Sequence, residues 1–578
     1  IMTNGESGRG GTININASQN ILMSNANLLA NGTTDGGLIV VASNNGDVNF
    51  QQSFIQTNGG AGVGGTILLS GVNNTLISST EISATGFTQG GTIKIGNDAI
   101  SQIIPFSSFT YLDSSTILNA SHQVSDSLNR NGGYIETSGH TIYMLASINA
   151  GRGGIWLLDP TDIVISSSDP DVFSYLNNAS NSFGPSVSDP SNPSAPPSRS
   201  ISDKLYSPLG STPSYVNVAT LTTALNNGYA ITITTIGSAG SGNGDIFVNA
   251  PITANDGSLS LTAAGAVNIN NAISLTGSNS QLYAEGMSIN IAANITTTLS
   301  QQFNGPVIIS NSPTLTSNGN AFGDAGFIVF GSSVDAVNSG SSSLNLSTRY
   351  PGAVSFGASV GSNQALSDLT VTGHTLYTNG SIRTIYSQEY GVANIRLAGD
   401  TSMSSQYSSI TIYSEINETD EGHSLILDAS SGLYLYGEIG RENPITNLEV
   451  RSNVDIYSNI TTVGSQEYLG SVIIRDSLIL TTPSSITFGS TLDAVNSVQS
   501  NLVIHGETGI ALSADVGDET PFQSLKFEGP VSLLGSVAIS TEDGTIHFNS
   551  TIVSAGHYGL TLSEIGRASC RERVSSPV

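Results

Sequence analysis

Six double-glycine steps, each followed by a strand-like pair, punctuate the chain between Gly10 and Trp156. They are Gly10-Gly11-Thr12-Ile13, Gly36-Gly37-Leu38-Ile39, Gly64-Gly65-Thr66-Ile67, Gly90-Gly91-Thr92-Ile93, Gly132-Gly133-Tyr134-Ile135 and Gly153-Gly154-Ile155-Trp156. The steps are of similar length, except for the longer one from Gly90 to Gly132. Such a period marks a repeat architecture whose single unit cannot bury its own apolar face. Bursts such as Thr12-Ile13-Asn14-Ile15-Asn16 and Asp47-Val48-Asn49-Phe50 alternate apolar and polar residues between Gly, Asn and Ser, the pattern of half-buried strands. With two or three strands per period and no helical pattern between them, an all-β parallel β-helix (β-solenoid) is the economical fold. Such a fold supplies length and surface rather than an enclosed site.

The composition fits a stack. Charged residues make up 10% of the 578-residue chain, against about 25% in ordinary globular domains. Equivalent positions of successive coils lie roughly 4.8 Å apart, so a repeated charge would face its own copy, whereas amides and hydroxyls can bond along the stack. The net charge of −27 argues against nucleic acid or an anionic membrane as partner, because phosphate binding needs Lys and Arg. No run of 18 apolar residues is present, so no transmembrane helix is expected. No secretory signal opens the chain, which reads as an internal fragment.

Five segments are expected. Residues 1–165 form a first solenoid section. Residues 166–217 hold eight of the 19 prolines and many serines, a composition that cannot join a ladder and reads as a linker or excursion. In residues 218–299, Val218 to Gly228 places Val218, Leu221, Ala224 and Leu225 on one helical face with Gly228 as the stop. That short helix is expected to cap a second solenoid whose strands recur with a shorter period than the double glycines. In residues 300–563 a longer repeat appears. Ser300-Gln301-Gln302-Phe303 returns as Ser387-Gln388-Glu389-Tyr390 and again, after a comparable interval, as Ser465-Gln466-Glu467-Tyr468. Phe330 to Ser339 returns as Phe488 to Ser497, and Val360-Gly361 and Leu369 return as Val516-Gly517 and Leu525. Residues 564–578 break the compositional pattern, hold the only cysteine, Cys570, and match the translation of a common sequencing-library adapter. They are set aside as an artefact.

Parallel β-helices also host polysaccharide-active enzymes, so the carboxylates need weighing. Asp420-Glu421-Gly422-His423 and Asp515 with Asp518-Glu519 are the densest clusters. Acid–base catalysis needs two groups held across one groove with separated pKa values, and clusters in Gly-rich segments read as solvated turns. His140 lacks a partner at metal-ligand spacing. Ser241 to Phe247 resembles a calcium-binding nonapeptide once, with glycines out of place. Thr232-Ile233-Thr234 has no regular echo, which excludes an ice-binding face. Trp156 reads as a core plug, and Asp159-Pro160 as the close of the first solenoid. The chain is therefore expected not to be an enzyme, with no catalytic residue, cofactor or metal site assigned.

Gly132 to His140, followed by Gly153-Gly154-Ile155-Trp156-Leu157-Leu158-Asp159-Pro160, resembles a segment of filamentous-haemagglutinin-like exoproteins. These are the secreted partners of two-partner secretion systems in Gram-negative bacteria. Leu221 to Asn249 and the Ser-Gln-x-aromatic repeats are similar to the stretch that comes after that segment in many members. The resemblance covers nearly all of residues 1–563 and rests mainly on Glu136 to Pro160. It implies a right-handed parallel β-helix, export through an outer-membrane transporter barrel, and an extracellular or cell-surface location. The family's secretion domain with its Asn-Pro-Asn motifs and any carboxy-terminal effector module are not in this sequence. The function expected is the shaft of an adhesin-like protein presenting surface to a cell-surface receptor or glycan. The alternatives are a surface polysaccharide-active enzyme and the passenger of an autotransporter.

Overall fold

The computed structural model describes residues 1–97, 104–123, 131–168, 213–236, 242–320, 323–420, 422–497, 499–542 and 544–565. Among the described residues, parallel sheets stack as a β-solenoid of about 21 turns with a single short helix. The chain divides into two compact units, Ile1–Gly305 and Pro306–Val578.

In the first unit the glycine steps set the register. Thr12–Ala17 pairs with Leu38–Ser43, which pairs with Thr66–Gly71, then Thr92–Ile95, Tyr134–Ser138 and Ile155–Asp159, all parallel. Each double glycine therefore stands directly above the next. A Cβ on Gly36 would fall well inside contact distance of the Thr57 carbonyl and of the Gly65 backbone, and one on Gly64 would strike the Ala84 carbonyl. The corner closes by backbone bonds across it, such as Gly65 N–H to Thr57 O at 2.7 Å and Gly91 N–H to Ala84 O at 2.8 Å. Glycine is required here by close approach, since no side chain fits between successive backbones.

Two further strands complete a turn, for example Val48–Gln51 and Phe54–Gln56 after Leu38–Ser43. Inward positions form aliphatic ladders: Ile13, Ile39, Ile67, Ile93, Ile135 and Trp156 are all buried and all in register. Parallel strands place like side chains over like, and burial of each depends on the turns above and below. Trp156 is fully buried and its indole N–H reaches Thr137 Oγ1 at 3.1 Å, as a core plug must. Some outward positions are apolar as well. Val40, Ala42 and Leu68 pack with Ile104, and Leu76, Phe109, Tyr143 and Tyr215 form a second buried cluster.

The expectation that Asp159-Pro160 closes a solenoid is corrected. Ile155–Asp159 pairs onward with Ala230–Thr234, so the first-face ladder continues. Pro160 lies just past the strand end, where the ladder asks no donor of it. The Pro- and Ser-rich stretch read over 166–217 lies outside the described residues except at its ends. Those ends meet, with Ile163–Ser166 alongside Ser214–Asn217. The helix spans Val218–Asn226, with Asn217 as N-cap and Leu221, Ala224 and Leu225 buried. Gly228 has φ +79°, and its N–H bonds Leu225 O at 2.8 Å, the left-handed stop that its lack of Cβ permits. The helix packs against Ser147–Asn149 on one side and Ile252–Ala254 on the other. It thus caps a strand ladder within the unit, taking the place of one third-face strand.

The second unit repeats the scheme with corners of its own. Leu369–Thr384 and Gln388–Ser405 run as 16- and 18-residue strands that pair around most of a turn. Beyond them come short strands such as Ile410–Ile412, Leu433–Leu435, Val454–Ile456, Val472–Ile474 and Leu492–Ala494, again parallel and in register.

Candidate interaction surface

On a solenoid, alternate residues of each strand face solvent, so a residue recurring at one outward position draws a line along the stack. In the second unit the position after the short strands just named carries Tyr413, Tyr436, Tyr457, Arg475 and Val495 in successive turns, and Gly391 within Gln388–Ser405 holds the same place in the turn before. Backbone bonds fix the order: Tyr436 N–H to Ile412 O, Tyr457 N–H to Leu435 O and Arg475 N–H to Ile456 O, each 2.9 Å. The Tyr413 and Tyr436 rings stack at 4.9 Å and those of Tyr436 and Tyr457 at 4.1 Å. A hydrogen bond with the Tyr436 side chain, and burial second, push the Tyr457 phenol up to about 12. Arg475 follows Tyr457 and donates Nε–H to Asp455 Oδ2 at 2.9 Å. Tyr413, by contrast, is 51% exposed.

Of the carboxylates singled out by sequence, Asp515 serves the ladder. Asp515 Oδ1 accepts the Ala538 N–H at 2.7 Å, and the Glu519 N–H is held by Asp493 Oδ1 at 3.1 Å. Asp420 lies 3.0 Å from His423 Nε2, and Glu418 takes the His423 N–H; Glu421 lies outside the described residues. Bonds from Thr419 and His423 hold Asp420 below the usual carboxylate range. His140 stands edge-on to Phe106 with ring centroids 4.6 Å apart, and burial lowers its pKa. Among the described residues no three His, Cys, Asp or Glu side chains gather as a metal site. In the nonapeptide-like stretch, Ser241 lies outside the described residues, and Asp245 accepts the Ala266 N–H at 2.7 Å from the next turn. Thr232 stands between Leu157 and Ser260, with no threonine on either side.

Three devices escaped the sequence reading. Asp335, Asn417 and Asp493 each clamp the loop of a following turn through backbone N–H groups, at Asn363 and Gln364, at Glu442 and Asn443, and at Glu519. This makes Ile439-Gly440 with Leu448 the middle copy of a loop already legible as Val360-Gly361 and Val516-Gly517. The Ser-Gln-x-aromatic strings hold a buried polar pair: Gln388 Oε1 accepts from Tyr390 OH at 2.8 Å, and Gln466 Oε1 from Tyr468 OH at 3.0 Å. The tyrosine line was itself readable in Ile410-Thr411-Ile412-Tyr413, Leu433-Tyr434-Leu435-Tyr436 and Val454-Asp455-Ile456-Tyr457.

The chain matches no protein-family model and no curated protein.

Proposed function

We propose that this chain is the non-enzymatic shaft of a secreted, surface-associated, adhesin-like exoprotein. Its resemblance to filamentous-haemagglutinin-like proteins suggests export through an outer-membrane transporter barrel and display outside the cell, toward a receptor or glycan. One observation carries the reading: turn after turn pairs in parallel register, so the interior is taken up by stacking and the exterior by repeated corners and loops. Supporting it, Asp515, one of the carboxylates that could have signalled catalysis, holds a backbone N–H of a neighbouring turn, as Asp245, Asp335 and Asp493 do, a scaffold role.

Protease shaving of intact source cells tests the location. Recovery of peptides from residues 1–563 by shaving, or of the protein from the medium, is the expected outcome. Detection only after lysis would overturn it. Incubating the purified protein with a panel of polysaccharides should release no new reducing ends, and release would favour the enzyme reading.

A further inference from the structure

The tyrosine line has two ends, and the molecule itself fills only one of them. Beyond Tyr457 stands Arg475, anchored by Asp455, which lies two residues before Tyr457 between the buried Val454 and Ile456 and is itself only 8% exposed. Beyond Tyr413, in the direction of the amino terminus, stands Gly391. Two residues before it lies Glu389. Both are exposed, while Gln388 and Tyr390 on either side of Glu389 are buried. Glu389 thus holds the place in its turn that Asp455 holds in the turn of Tyr457. Among the described residues no ion pair engages it.

Nothing in the backbone calls for glycine at 391. Its φ lies outside the left-handed range, and a Cβ there would meet only Thr372 Cγ2 at 3.7 Å and Val371 O at 3.9 Å, ordinary contacts. Thr372 pairs with Gly391 without a register shift, and the turns that come after carry tyrosine at the same corner. Glycine inside a strand weakens it, and where no bulge or bend requires it the position suits close approach by another molecule. Gly391 sets no side chain beside the Tyr413 ring, which among the described residues stacks only on Tyr436 and is 51% exposed, and Glu389 beside it is unengaged.

We propose that this corner is a docking slot for a guanidinium group, an arginine side chain of a basic partner, lying against Tyr413 and pairing with Glu389. The opposite end of the same line shows a related set assembled from the chain's own residues, arginine beside Tyr457 with its carboxylate two positions before that tyrosine; at the slot the carboxylate in the same column stands two positions before the glycine. Arginine suits both demands, since its flat cation stacks on aromatic faces and forks onto carboxylates. The net charge of −27 attracts a basic partner and repels an anionic glycan or nucleic acid. The inference rests on the scaffold reading only in needing this corner to face solvent on a folded stack.

Binding of a fluorescent hexa-arginine peptide to the whole chain at physiological salt tests it, with hexa-lysine and maltohexaose as comparison probes. Hexa-arginine should bind more tightly than hexa-lysine. Gly391→Arg, which supplies the missing cation, and Tyr413→Ala should each weaken it by about tenfold. Glu389→Gln should weaken it too, while Glu507→Gln, the same charge change elsewhere, should leave it unchanged. Equal binding of the two peptides, equal losses from both carboxylate variants, or a preference for maltohexaose abolished by Gly391→Arg would each overturn the proposal. Far-UV circular dichroism separates the two readings. A non-β spectrum of the parent chain sinks the scaffold, whereas β-rich variants with unaltered binding sink the slot alone.

Discussion

Gln388 and Gln466 stand where the adjoining turns place Leu369 and Ile410, or Leu448 and Ile486. A buried amide in an aliphatic ladder is tolerable only when its bonds are made. Gln466 donates to Thr481 O at 2.8 Å and accepts from Tyr468; Gln388 does the same with Ser404 O and Tyr390. Burial raises the pKa of both tyrosines. Tyr457 is raised for a different reason, its bond with Tyr436, to about 12. A phenol with a raised folded pKa adds stability that is whole below its unfolded pKa of about 10 and fades as pH climbs toward the folded value. The phenolate absorbance that Tyr457→Phe removes should therefore titrate near the raised value, and Tyr436→Phe should bring it down toward that of free tyrosine. An unmoved midpoint would show that the hydroxyl contact is not its cause.

The short strands and loops depend on such side chains because few strands are long enough to hold a corner alone. Asp335, Asn417 and Asp493 occupy equivalent places, and the natural exchange of Asp for Asn shows that the clamp works through an acceptor oxygen rather than through charge. Hydrogen exchange at the Glu519 amide should accelerate in Asp493→Ala and stay slow in Asp493→Asn. Fast exchange in both variants would mean that charge matters, and slow exchange in both that the clamp does not protect this amide. The long repeat containing these loops was visible in sequence as two copies. Its middle copy was hidden because Arg441-Glu442-Asn443 shares almost no side chain with Ser362-Asn363-Gln364 or Asp518-Glu519-Thr520. Only the backbone path and the clamp are common. The helix was legible through its apolar face and Gly228; its cap Asn217, whose side chain accepts the Ala219 N–H at 2.8 Å, is itself a favoured N-cap residue just ahead of Val218, a start signal that the apolar face alone did not include.

Across the molecule, stability resides between turns more than within them, as in any one-dimensional array. A lesion in one turn should loosen its neighbours and fade with distance. Gly36→Ala forces a methyl into the Thr57 carbonyl and the Gly65 backbone, and overpacking of this kind costs roughly 1–3 kcal/mol. Hydrogen exchange should quicken in Thr12–Ala17 and Thr66–Gly71 and remain unchanged in Leu478–Thr482 of the second unit. Uniform loss of protection over the whole chain would show two-state unfolding instead.

The sequence alone determined the fold type and, through the double glycines, the register of the first turns, because close backbone approach admits one residue only and marks it unmistakably. Tertiary structure decided what lies next to what across turns of unequal length: that the ladder runs past Asp159, that the helix replaces a strand, and that Gly391 borders Tyr413. Ile155 meets Ala230 across one such turn and Gln388 meets Ile410 across another, much shorter one. The difference is set by how much chain each corner takes up, which no local pattern encodes.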